Sequence, residues 1–463
     1  MESLDLNLSS LLAHAPLILF SAIFICFFII YNTPSPKRIT KYEPLNPGPN
    51  AKTDAKQAAT TPEWTTEHGH GYPPITPLHS PPFNWETENP LVFRSFKPKY
   101  HLTMGISPLE YNNLIPMDKT YLERLGLRRE VLEDYPDVVR GVDIQPQNPD
   151  AVMDGRIKEA LCEWYAYVMG VYLPERYPGM FILVNSDGEG VIVEKKGGSK
   201  GTMLKSLVTG LSVPIDPEEA MRSISSSSAS SSTEKEEDKI KKALLHLLDT
   251  LGTWVDEDFL ILLPYPNPQP TPSSAQAPPS DQEPKYHLSA YTTYYPAGFD
   301  TRTKLGLPLN EIHAPVPGYA SKLEKSMDRF FARLEVGRAV VRVNWSIMTR
   351  GTGLFAPFGG LHSYKEGEEG AGEKDEYINP STFDGKETYL RCERQTLHRL
   401  PKSKALLFGF HTYTYPLDDI KREGLGEDLA TAIEGLRGGS VPEVYGYKRG
   451  EYWGEAVKAF LRS

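Results

Sequence analysis

Apolar side chains recur at helical spacing in three stretches of the chain. Ile157, Ala160, Leu161, Trp164 and Val168 fall on one helix face. Ile240, Leu244, Leu247, Leu248 and Leu251 form a second stripe, and Leu323, Met327, Phe330, Phe331 and Leu334 a third. Each stripe predicts a helix that packs on a core through that face. Elsewhere the pattern is that of strands. Residues 180–184 and 191–194 flank Asn185-Ser-Asp-Gly, a hairpin signal. Residues 259–263 are a short apolar run, and 287–295, 340–348, 388–396 and 405–415 are rich in β-branched and aromatic residues. Helices and strands are interspersed without a regular βαβ alternation, which predicts an α+β fold.

One apolar run is of a different kind. Residues 11–31 are almost wholly apolar, and 17–30 carry no charge. About 20 residues at helical rise cross a bilayer, so residues 1–33 are expected to form a single-pass membrane anchor. Lys37, Arg38 and Lys41 follow the run and no Lys or Arg precedes it, which places the large domain on the cytosolic side. The endoplasmic reticulum is one candidate membrane. Residues 34–85 are rich in Pro, Thr and Gly and read as a flexible tether. The remainder, 86–463, reads as one large domain. Low-complexity stretches near 216–238, 264–286 and 363–378 are expected to be surface insertions, because they hold too little apolar surface to order themselves.

Composition narrows the function classes. The net charge is −10 with no Lys/Arg cluster, which argues against nucleic acid as a partner. Cys26, Cys162 and Cys392 are scattered, with no CxxC spacing, so neither a disulfide framework nor a cysteine-held zinc or iron–sulfur site is expected. No GxGxxG or GxxxxGK[ST] fingerprint occurs, so the usual signals of dinucleotide and P-loop nucleotide sites are missing.

Three stretches can carry chemistry. In residues 389–401, strand alternation puts Tyr389, Arg391, Glu393 and Gln395 on one face and Leu390, Cys392, Arg394 and Thr396 on the other. Arg394 among apolar neighbours needs an anion or strong acceptors, and a structural carboxylate partner serves as well as a ligand. In residues 341–347, Arg342, Asn344 and Ser346 share a face that can line a polar pocket or meet water. In residues 310–318, Pro315 and Pro317 fix an extended backbone beside His313, which is either a packed side chain or a ligand on a rigid support.

Read together, these blocks resemble a known family. KYHLTMGISPLE (99–110), LPERYPGMF (173–181), KLGLPLNEIHAPVP (304–317), RVNW (342–345) and LRCERQTLHRLPKSKALLFGFHTYTYPL (390–417) occur in an order similar to the haem-dependent oxidative N-demethylases, in particular their fungal HRQ-type branch. The resemblance implies a haem b bound in a PAS-like α+β domain. The implied reaction is O₂-dependent oxidation of a small secondary N-methylamine to the demethylated amine and formaldehyde. Electrons would come from a separate reductase. On this resemblance His313 is the leading axial ligand to the iron, with His287, His398 and His411 as rivals. Arg391, Arg394 and Arg399, together with His411, are expected to contact the cofactor, the arginines through its propionates. Arg342 and Asn344 are expected to be catalytic, lining the distal pocket or positioning the amine. One departure is His411, where the bacterial pattern carries Arg, and this leaves the substrate open. The alternative classes are a haem-binding gas or ligand sensor without turnover and a membrane-tethered scaffold.

Overall fold

The stripe that starts at Ile157 folds as the helix Gly155–Tyr167, and its apolar face is buried as the spacing requires. Asp154 caps this helix by accepting from the backbone N–H of Arg156 at 3.0 Å. The second stripe lies on Glu236–Trp254, whose first turn carries Glu236, Glu237 and Asp238 against the positive end of the helix dipole. The third lies on Glu324–Arg333. These elements come from a computed structural model, which describes residues 71–79, 83–143, 154–186, 201–225, 235–265, 283–349, 353–356 and 377–463. The expected anchor, most of the tether and residues 191–194 lie outside them. Among the described residues no helix is long and apolar enough to cross a membrane.

In chain order the elements are β1 (Ser107–Leu109), α1 (Tyr121–Asp134), α2 (Pro136–Val139), β2 (Arg140–Val142), α3 (Gly155–Tyr167), α4 (Leu173–Arg176), β3 (Phe181–Asn185), β4 (Thr202–Ser206), β5 (Ser212–Pro214), α5 (Pro217–Ser225) and α6 (Glu236–Trp254). They continue with β6 (Asp258–Pro264), β7 (Tyr286–Thr292), α7 (Leu309–Ile312), α8 (Glu324–Arg333), β8 (Ala339–Met348), β9 (Tyr389–Arg399), β10 (Leu406–Pro416), α9 (Leu417–Arg422), α10 (Gly426–Arg437), α11 (Val444–Tyr447) and α12 (Gly450–Arg462). The α+β expectation holds.

Seven strands form one sheet in the order β1-β8-β9-β10-β6-β7-β2. Every pairing in it is antiparallel. The long strands β8, β9 and β10 sit side by side, with Asn344 opposite Glu393 and Thr412 opposite Glu393 on the other side. The strand over 181–185 pairs with β4, and β4 with β5, in a separate three-stranded sheet.

Both faces of the large sheet are covered, which is why β9 is buried along most of its length. On one face Trp164 and Leu161 of α3 and Leu247 and Leu251 of α6 pack with Phe259, Ile261 and Leu407. The C-terminal helices extend this layer, where Leu429, Ile433 and Leu436 of α10 and Trp453 and Val457 of α12 cover Leu390, Cys392 and Tyr413. On the opposite face α7 and α8 cover Leu262, Leu288, Leu397 and Leu406. A cavity lies between this layer and the sheet.

The expected insertion at 216–238 is shorter on its described edges. Residues 217–225 are helical, and Ala220 and Met221 are buried in the core. An amphipathic turn was present before the serine run, and it orders by burying these two side chains. The centres of all three expected insertions lie outside the described residues.

Candidate functional site

A cavity of about 350 Å³ lies between the large sheet and the α7–α8 layer. That volume is in the range of small-molecule and cofactor pockets. Its walls are mostly apolar. Leu260, Leu262, Leu288 and Phe408 come from the sheet, and Met327, Phe330 and Phe331 from α8. Part of the third apolar stripe therefore lines a cavity as well as filling a core.

His313 sits on this cavity at the end of α7. Its Nδ1 lies 2.7 Å from the carbonyl oxygen of Leu309, one turn back. A carbonyl only accepts, so Nδ1 carries the proton and Nε2 keeps a bare lone pair. The ring stacks on Tyr319 with centroids 4.8 Å apart. Burial lowers the His313 pKa, which favours the neutral, ligating form.

Arg342 and Asn344 project from β8 onto the same cavity, as strand alternation required. Of the two readings of this face, pocket and water, the structure has the pocket. The Arg342 side chain makes no hydrogen bond and no ion pair within the described residues, and its buried Nε has no partner. Burial lowers its pKa, with Tyr100 and Glu393 too weak a counterweight. Lys304 also lines the cavity. Asn344 accepts from Lys448 Nζ at 3.3 Å, and the same ammonium donates to the carbonyl of Trp345 at 2.5 Å. Burial pushes the Lys448 pKa down to about 8.

The remaining predicted residues lie elsewhere. Arg391 is fully buried and donates to the carbonyls of Leu354 at 3.0 Å and Tyr295 at 2.6 Å. Arg394 faces the opposite side of the sheet and donates to the carbonyls of Leu114 and Asn113. Arg399 donates to Leu334 at 2.7 Å and Lys404 at 2.7 Å, and also to Phe331. None of these three lines the cavity. Most of their donors go to backbone carbonyls, and they tie the segments that carry those carbonyls to β9. Arg394 thus has the strong acceptors its apolar setting demanded, and they are main-chain oxygens.

His411 also faces the opposite side. It lies between Asp256 and Glu257, with Nε2 3.3 Å from one carboxylate and Nδ1 3.3 Å from the other. Arg124 and Arg128 of α1 complete this buried cluster, with Arg128 2.9 Å from Asp258 and Arg124 paired with Asp256. Burial raises the Asp256 pKa, but Arg124, His411 and Arg128 outweigh that and hold it below its ordinary value. His398 is buried among Tyr72, Tyr111 and Trp164, and neither ring nitrogen has a partner. His287 is buried beside Tyr265. Of the four histidines considered as ligands, only His313 meets the cavity. Among the described residues no group of His, Cys, Asp and Glu could by itself hold a metal ion.

Sequence reasoning left Lys304, Lys448 and the carboxylate of Glu393 without a role, although all three line the cavity. Alternation had already put Glu393 on the correct face. Nothing local marks Lys448, which arrives at the end of α11 from beyond the strand blocks.

The sequence family described as haem-dependent oxidative N-demethylase, alpha subunit-like matches residues 105–458. The chain belongs to this family. The match covers well over half of its 463 residues and includes every cavity-lining residue named above except those before position 105. A haem cofactor follows from that membership, and the cavity can be tested against it. A porphyrin needs apolar faces, a ligand for iron and cations for its two carboxylates. The apolar walls, the bare Nε2 of His313, and the unpartnered Arg342 with Lys304 meet those needs. The residues fit the group.

Proposed function

We propose that the protein is an O₂-dependent oxidative N-demethylase of a small secondary N-methylamine, with haem b in a PAS-like domain. The observation that carries this is one apolar cavity with a histidine whose Nε2 is bare and a half-buried arginine whose buried Nε has no partner among the described residues. A guanidinium that faces a cavity and bonds to no described residue is completed by an anion, which supports an acid-bearing ligand there. Haem supplies the oxygen chemistry. The protein's part is binding, orientation and exclusion of water.

His313 would hold the iron through Nε2, since the Leu309 carbonyl fixes the tautomer and ring orientation. Arg342 and Lys304 would hold the propionates. Asn344, steadied by Lys448, borders the space left for the amine. The balanced reaction is R–NH–CH₃ + O₂ + 2e⁻ + 2H⁺ → R–NH₂ + CH₂O + H₂O. The two electrons come from a separate reductase. In the same reading residues 1–33 anchor the chain in a membrane, with the domain on its cytosolic side.

The test is the absorption spectrum of the purified full-length chain, with formaldehyde release measured when reductase and a secondary methylamine are supplied. A Soret band and formaldehyde are expected. His313→Ala should shift the band and lower haem retention. A colourless protein that takes up no hemin sinks the reading. A spectrum unchanged in His313→Ala removes that residue as the ligand, and haem binding without turnover assigns a sensor.

A further inference from the structure

Among the described residues the cavity has one carboxylate, that of Glu393. The residue is 6% exposed and its Oε1 accepts no hydrogen bond. Its Oε2 accepts from Gln395 Nε2 at 3.2 Å. The nearest cation, Arg391 Nη2, is 4.0 Å from Oε1, and that nitrogen is already given to the carbonyl of Tyr295 at 2.6 Å. Arg391 therefore offsets part of the charge without satisfying the oxygen. Lys448, the other nearby cation, is directed at Trp345 and Asn344.

A buried carboxylate with an unsatisfied oxygen is costly to keep, and such groups mark places where a ligand completes the bonding. The polarity of the missing ligand follows from the site. A carboxylate accepts, so the ligand must donate, and a positive donor gains most. The surroundings beyond it are apolar walls, which suit alkyl groups. Lys448 already has two acceptors, so nothing at this end calls for an acidic group on the ligand.

We propose that Glu393 is the recognition carboxylate for substrate. It binds a compact alkylammonium through N–H donation to its carboxylate and discriminates against neutral molecules of the same shape. This rests on the N-demethylase reading for the identity of the substrate, but the charge selection is a property of the cavity itself.

The test is isothermal titration of the full-length, haem-loaded protein with dimethylammonium chloride, 2-propanol and sarcosine. Wild type is expected to bind dimethylammonium at least tenfold more tightly than either the neutral alcohol or the acid-bearing analogue. Glu393→Gln should weaken dimethylammonium binding about ten- to a hundredfold, the range for a hydrogen bond to a charged group. It should leave haem content and the Soret position unchanged, since the carboxylate is not the ligand. Glu393→Asp, which keeps the charge, should recover part of the affinity. Equal binding of 2-propanol by wild type, or undiminished ammonium binding by Glu393→Gln, overturns the proposal. If the protein carries no haem yet binds the ammonium through Glu393, the subsite stands and the demethylase reading falls.

Discussion

Arg342 and Arg394 sit in neighbouring strands with opposite settings. Arg394 ends against two backbone carbonyls, whereas Arg342 faces a cavity and bonds to no carbonyl of the described residues. Their removal should therefore have opposite signatures. In haem-free protein, Arg394→Met leaves the buried Leu114 carbonyl and the part-buried Asn113 carbonyl without this donor and should cost about 1–3 kcal/mol in urea unfolding. Arg342→Met removes a half-buried charge that bonds to no described residue and should cost nothing or stabilise. In hemin titrations the order reverses, and only Arg342→Met should lose affinity, by tenfold or more. Equal behaviour of the two variants in both assays would contradict this division. Alternation placed each arginine on a face of its own strand, and only the register of β8 with β9 puts them on different faces of the sheet. Alternation could not say which face held acceptors, because Asn113 and Leu114 lie far away in sequence and donate no side-chain signal. The same limit explains why three arginines expected at propionates bind carbonyls.

Long strands with aromatic and β-branched residues were legible, and β8, β9 and β10 appear close to the expected spans. The helices α3, α6 and α8 were legible from their stripes. Helix α1 was not, for a physical reason. Its buried positions are Tyr121, Arg124, Leu125 and Arg128, so half of the buried face is charged and the apolar period disappears. That face is buried because Asp256 and Asp258 meet it, which no local pattern reports. Strands β1 and β2 are three residues each, too short to show alternation. The packing of β10 against this charged layer depends on Gly409. A Cβ there would lie 2.8 Å from Thr396 Oγ1 and 3.3 Å from Glu257 Oε1. Gly409→Ala should therefore destabilise by about 1–3 kcal/mol. It should leave the haem spectrum unchanged, because the added methyl points away from the cavity. An altered Soret band in a stably folded variant would mean that the two faces are coupled.

At the scale of the whole molecule, the buried histidines set an acid limit on stability. Burial pushes the His398 pKa down to about 3, and lowers that of His287 as well. The unfolded chain takes up these protons near the ordinary value of about 6.5. Below that pH the unfolded state binds more protons than the folded one, so stability falls as pH drops from about 6.5 towards 3 and is fully present above 6.5. Each such group contributes a slope of up to about 1.4 kcal/mol per pH unit. Burial raises the pKa of Glu257, Asp258 and Glu393, which acts in the opposite sense. The difference between wild type and His398→Leu isolates the histidine. Urea midpoints between pH 7 and pH 5 should fall less steeply in the variant, and parallel curves would exclude His398 as a source.

Strand β9 places two unlike environments back to back, with Glu393 and Gln395 towards the cavity and Cys392 and Arg394 towards the opposite layer. Side chains along a strand point alternately to its two sides, so loss of one residue in mid-strand turns everything beyond it over. A frame-preserving deletion there would turn a guanidinium that needs carbonyl acceptors into the cavity and carry the acid over to the opposite layer. Substitutions in this strand can be graded one at a time, but its length in residues admits no such gradation.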